Sequence, residues 1–172
     1  MTSKVTRIAV PAGSEINNRL AGASYYDCYA ITVPNDGRSA LGYFLTAISN
    51  TPSWVNSLMT LRNKTVLLFG LKDLGGMGDF DAAKKDSDYL PGDRVGIFTL
   101  ISNTPNEVLL GDSDKHLDVV LSIYKNSTNQ DACSIVVTTV VHTHNLLGKA
   151  YMLPVTPLHK LIAPAVLARV IS

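Results

Sequence analysis

The sequence predicts an α+β fold: a curved antiparallel sheet wrapped around a long C-terminal helix, with two short helices after the first strand. Three observations carry that prediction. Regular structure opens with one aromatic, β-branched strand. The second half of the chain alternates apolar and polar residues in runs separated by turns. The last stretch changes to the i, i+3, i+4 spacing of an amphipathic helix.

Taken in order, Tyr25–Val33 is the first strand, and Pro34-Asn35-Asp36-Gly37 turns the chain after it. Apolar residues at Leu41, Phe44, Leu45 and Ile48 mark the first helix, within Ser39–Ile48. Thr51-Pro52 supplies an N-cap and a first-turn proline for the second. Trp54, Val55, Leu58, Met59 and Leu61 form its buried face, and the pattern runs to about Phe69, where Gly70 stops it. Residues 72–92 are polar and glycine-rich and read as a mobile loop or lid. Their Gly75-Gly76-Met77-Gly78 cluster lacks the Gly-Lys-Ser/Thr ending of a phosphate loop.

From Asp93 the texture is β. Arg94–Ser102 and Glu107–Leu110 flank the turn 103–106; Lys115–Tyr124 and Ala132–His142 flank the loop 125–131. Asn145 and Thr156-Pro157 are helix starts, and Pro154 should kink or divide the terminal helix, which runs to about Ile171. Leu158, Leu161, Ile162, Ala165 and Val170 are available for its buried side. The chain reads as a single domain over residues 1–172.

Strand parity sorts the chemistry. Leu117, Val119, Leu121 and Ile123 share one face with Cys133, Ile135, Val137, Thr139 and Val141, which makes that face the core side. Asp114, His116, Asp118, Ser122 and Tyr124 then share the other face with Thr138 and His142. With Tyr124 opposite Ala132, His142 falls across from Asp114 and diagonal to His116. A His/Asp group of this kind can hold a divalent metal or act as a general base with an orienting carboxylate, though no Cys or Glu completes a zinc spacing. The candidate catalytic residues are therefore His116, Asp118, His142, His144 and His159. Parity puts His142 on the more polar face, away from the core, and His159 sits in the first turn of the last helix. Tyr29, Trp54 and Tyr151 are candidate ligand-binding aromatics.

Composition excludes several classes. The 172 residues carry a net charge of +1, and the 15 Lys and Arg are scattered, so no basic stripe exists to neutralise phosphates and no nucleic-acid partner is expected. No run reaches the roughly 18 apolar residues that span a bilayer, and no signal-peptide core is present, so the expected location is cytoplasmic. Cys28 and Cys133 have no metal-ligand or redox spacing. No metal is expected, no dinucleotide fingerprint or nucleophile elbow is present, and no cofactor is predicted.

Several segments carry a family resemblance: Pro91-Gly92-Asp93-Arg94-Val95-Gly96, Leu110-Gly111-Asp112, Lys115-His116-Leu117-Asp118, His144-Asn145-Leu146-Leu147-Gly148-Lys149-Ala150-Tyr151 and Pro157-Leu158-His159-Lys160-Leu161-Ile162. With the Trp54 helix and the opening Tyr-Tyr-Asp-Cys-Tyr strand, they resemble DUF2867, a bacterial family of unknown function. The ending also resembles the polyketide-cyclase and START-like (SRPBCC) superfamily. That resemblance implies a helix-grip fold with an internal cavity that binds lipids, polyketides or other apolar molecules. DUF2867 has no established catalytic residues to carry over.

The expected function is the binding of a small apolar or amphipathic molecule between sheet and terminal helix, with residues 72–92 as a cover. One alternative is a cyclase, dehydratase or isomerase that uses a histidine or aspartate as acid and base. Another is an interaction domain that works beside a separate reductase, which the resemblance implies because relatives occur fused to reductase domains, or that forms a homodimer.

Overall fold

The computed structural model describes residues 4–67, 75–127 and 129–171. Among them, strands β1 (Thr6–Arg7), β2 (Tyr25–Pro34), β3 (Arg94–Val95), β4 (Phe98–Asn103), β5 (Glu107–Ser113), β6 (Leu117–Ser127) and β7 (Ala132–Thr143) form one curved antiparallel sheet. Its order is β1-β2-β7-β6-β5-β4-β3. Helices α1 (Ala40–Ser49) and α2 (Ser53–Leu67) follow β2, and α3 (Leu146–Leu167) closes the chain. This is the α+β, helix-grip arrangement that the sequence predicts.

The sheet joins residues remote in sequence. β2 pairs with β7 along its whole length, from Tyr25 opposite Val141 to Pro34 opposite Ala132. That pairing puts Tyr25, Asp27, Tyr29, Ile31 and Val33 on the face shared by the odd residues of β6 and β7. α1 and α3 pack on this face and bury Leu41, Tyr43, Phe44, Ile48, Ala163, Val166 and Leu167 against Ile31, Leu110, Leu121, Ile123 and Ile135. Strand parity therefore identifies the core face correctly.

The register of the last hairpin differs from expectation. Tyr124 opposes Val136, and His142 opposes Asp118 rather than Asp114. Both strands run further into the turn, so the pairing slips by four residues, an even number that leaves the faces unchanged. The second face is also less solvated than its polar residues suggest. The N-terminal segment lies over it, with Ile16 buried against Leu109, Val120 and Val140. Glu107, 8% exposed, anchors that cover: Oε1 accepts hydrogen bonds from Ser14 and Ser122, both at 2.6 Å, and Oε2 accepts from the Glu15 amide.

Three boundaries move for local reasons. The expected strand Arg94–Ser102 is β3 and β4, separated by a tight turn. Gly96 makes that turn at φ +60°, where an added Cβ would lie 2.6 Å from the Met77 carbonyl. Thr51 does not cap α2. Its hydroxyl donates to the Ile48 carbonyl at the end of α1, and the Pro52 carbonyl accepts the first amides of α2. The expected end of α2 near Phe69 and Gly70 lies outside the described residues.

Pro154 does not divide the terminal helix, and Thr156 caps nothing; α3 is one helix containing Pro154, Pro157 and Pro164. A proline removes the donor to the carbonyl four residues back. Those carbonyls belong to Ala150, Leu153 and Lys160, all exposed, where water can replace the missing amide. On the opposite side Met152, Val155, Ile162, Ala163 and Val166 keep helical spacing across the prolines, and their burial holds the helix in one piece. Leu158 and Leu161, expected on the buried side, are exposed at 40% and 63%.

Asn145 caps α3 as expected: its Oδ1 accepts from the Gly148 amide. Gly148 is required there, because a Cβ would lie 2.2 Å from the His116 carbonyl. Of residues 72–92, expected as a mobile cover, 72–74 lie outside the described residues and 75–92 make contacts with the body. Tyr89 is buried, Met77 and Phe80 pack against the core, Lys84 pairs with Asp93 at 2.6 Å, and Asn103 donates to the Asp86 and Tyr89 carbonyls. Any opening of this segment has to break those contacts.

Candidate functional site

Between the core face of the sheet and helices α2 and α3 lies a cavity of about 250 Å³. Its wall is largely aliphatic: Leu117, Val119, Leu121, Ile123, Ile135, Val137 and Val141 from the sheet, Met152, Val155, Ile162 and Val166 from α3, Val55, Leu58 and Met59 from α2, and Met77 from the loop. The odd positions of β6 and β7 supply most of the floor. The amphipathic stripe of α3 supplies the roof.

Polar side chains interrupt this wall at Arg62, Asp112, Asp114 and Tyr151, and at a group formed by Tyr25, Thr139 and His159 around the buried Asp27. Asp27 stands opposite Thr139 across β2 and β7. His159, on the buried stripe of α3, places Nε2 3.3 Å from Asp27 Oδ1 and 3.1 Å from Thr139 Oγ1. Tyr25 donates its phenol hydrogen to Asp27 Oδ2 at 2.5 Å, and its ring meets the His159 ring edge-on at 6.1 Å. Asp27 is 1% exposed. A buried carboxylate needs donors around it; Tyr25 is one, and His159 is the second when its Nε2 carries the hydrogen. Burial, then the hydrogen bond to Asp27, pushes the Tyr25 phenol above its ordinary range, so it remains a donor.

Nε2 of His159 is thus the nitrogen turned to Asp27 and Thr139; in the tautomer that donates from Nε2 to the carboxylate, Nδ1 carries the lone pair. At the other end of the cavity, Arg62 Nε donates to the Tyr151 hydroxyl at 2.9 Å, and both residues line the wall. Tyr151 and His159 are eight residues apart on one helix, which separates the two polar stations by roughly 12 Å along its axis.

The other histidines do not join this group. Asp118 and His144 form a half-exposed pair at 3.0 Å on the outer face. Burial opposes the Asp118 charge, but hydrogen bonds from Ser113 and His144 outweigh it and hold the carboxyl below its usual range. His142 Nε2 meets the Arg19 carbonyl at 2.9 Å beneath the N-terminal cover. His116 is buried in the turn before β6, with Nδ1 against the Asn145 side chain and Nε2 with no hydrogen-bond partner among the described residues. Of the candidate aromatics, Tyr151 lines the cavity, Tyr29 is buried in the core beside it, and Trp54 is 44% exposed and off the wall.

Sequence reasoning placed His159 at a helix end and passed over Asp27. The signal was present in both cases. Asp27 is the one charge on the odd face of an otherwise apolar and aromatic strand, and His159 occupies a core position of the α3 stripe, between Val155 and Ile162.

Residues 19–166 match the model of a protein family of unknown function, DUF2867. The chain belongs to the DUF2867 family. The matched span contains Tyr25, Asp27, Thr139 and His159, so the whole polar group lies within the DUF2867 domain. No curated protein and no solved structure matches the chain, so membership brings no activity with it.

Proposed function

We propose that this DUF2867 protein binds a small, largely apolar molecule that carries an oxygen function at one end. The observation behind this reading is the cavity itself: a largely aliphatic wall broken by Tyr25, Thr139 and His159, with the buried Asp27 holding Tyr25 and His159 from behind. Apolar surface supplies affinity in such a site, and the few polar groups orient the occupant. The cavity, about 250 Å³, takes a small molecule, for which a small ring ketone serves as the probe. A cytoplasmic setting belongs to the same reading, supported by two buried free thiols, Cys28 and Cys133.

Native mass spectrometry tests this reading. Freshly purified protein is expected to carry a small apolar mass that organic solvent removes, or to take up cyclohexanone saturably once stripped. Protein that is empty as purified and takes up no cyclohexanone contradicts it.

A further inference from the structure

We infer that the cavity is a proton-transfer site for small carbonyl compounds, with His159 as the base and Asp27 as its positioning residue; this rests on the binding reading above. Three features support the assignment. The imidazole lines a largely apolar cavity, with its side chain 24% exposed. Its Nε2 faces a carboxylate that is 1% exposed, a contact that sets the ring's orientation and, in the tautomer donating from Nε2, keeps Nδ1 for a substrate. The same carboxylate is held from its other oxygen by Tyr25, so it cannot swing away from the imidazole. A base oriented by a third group is the arrangement that general acid–base catalysis requires.

The step balances without oxidant or cofactor. Nδ1 takes a proton from the carbon adjacent to the substrate carbonyl. The C–H electron pair becomes the carbon–carbon double bond of an enolate, and the carbonyl π pair moves to oxygen. The imidazolium that forms keeps its Nε2–H on Asp27, whose negative charge offsets the new positive one. Thr139 Oγ1, 3.1 Å from Nε2, is a second polar group that fixes the ring beside Asp27. The proton then returns from Nδ1 to the same carbon, or to the γ-carbon of a β,γ-unsaturated ketone. The second outcome is a double-bond isomerisation into conjugation. The chemistry is thus that of an isomerase acting on ketones small enough for the cavity.

The Asp118 and His144 pair, the other imidazole–carboxylate side-chain contact among the described residues, serves as the internal comparison. It has the shorter distance but stands half-exposed on the outer face, where water competes for both partners.

The test uses cyclohexanone in deuterated water. Binding is read by saturation-transfer NMR and chemistry by loss of the α-proton signal. The wild-type protein is expected to exchange the α-protons faster than free imidazole at equal concentration. His159→Gln should lose about 100-fold of that rate, and Asp27→Asn at least about tenfold, with ketone affinity held within about threefold in both. Asp118→Asn should change neither. Rate loss without affinity loss is the result that a merely structural role for Asp27 would not give. If the ketone binds but its protons exchange no faster than with imidazole, or the rate survives His159→Gln, the proton-transfer assignment falls and the binding reading stands. If wild-type protein does not bind the ketone, both fall. The pair is approached from both sides, so misfolding of one variant leaves the other decisive.

Discussion

His159 Nε2 lies 3.3 Å from Asp27 Oδ1, joining a helix and a strand separated by 132 residues. The contact exists because β2 pairs with β7, which carries Asp27 to Thr139, and because α3 crosses that place with a histidine on its buried stripe. Site and fold are made by the same long-range pairing.

The cavity can be filled without touching its polar group. Val137 lines the floor, and Val137→Phe puts a ring into the open volume. Ligand uptake is expected to fall at least about tenfold while the melting temperature stays level or rises, because an existing void is filled rather than a packed core crowded. Calorimetric titration with cyclohexanone beside a thermal melt reads both quantities. Undiminished uptake would place the ligand elsewhere.

Gly148 sits where α3 docks on the turn that carries His116. In Gly148→Ala the new Cβ meets a backbone carbonyl that has little room to retreat, since it also accepts from the His144 amide at 2.8 Å. A loss of about 1–3 kcal/mol is expected in urea unfolding. Ala150→Gly on the exposed side of the same helix should cost only about 1 kcal/mol, the ordinary propensity difference. Equal losses would show that the close approach does not matter.

Glu107 holds the N-terminal cover through three hydrogen bonds. Glu107→Ala leaves the buried Ser14 and Ser122 hydroxyls short of their acceptor, and a loss of about 1–3 kcal/mol is expected. Limited proteolysis should then cut within residues 8–20 before the sheet. Protection equal to wild type would mean that the apolar contacts of Ile16 suffice.

Acid stability should depend on Asp36. Hydrogen bonds from Arg38 come first among the causes that hold its carboxyl down to about 2; burial opposes them and Tyr43 adds to them. A depressed carboxyl contributes stability that is complete above its ordinary value near ~4 and is lost as pH falls toward about 2. Asp36 is 43% exposed, so the contribution is modest. Asp36→Asn should flatten the decline of the urea midpoint between about pH 4 and pH 2. Parallel curves for the two proteins would assign the acid sensitivity to other groups.

Local pattern carried the fold. Period-2 alternation marked the core face of β6 and β7, and helical spacing marked α1 and α3, because each is set by burial of neighbouring side chains. What failed was decided at long range. The four-residue register shift left no trace in the alternation, since an even shift keeps every side chain on its face. The prolines of α3 were outweighed by a buried stripe that only the sheet makes necessary. The histidines drew attention through their proximity in sequence, at His142, His144 and His159. The one that reaches the cavity is partnered by an aspartate more than a hundred residues earlier, visible in advance only as a charge on an apolar strand face.

The central claim is that the cavity is occupied at its Asp27 and His159 end. The most direct measurement is NMR of the four histidine rings during titration with cyclohexanone, assigned with His159→Gln. The account predicts a saturable shift of the His159 ring signal while those of His142 and His144 hold still. A His159 signal that does not move, or one that moves only in step with the two outer-face rings, would contradict it.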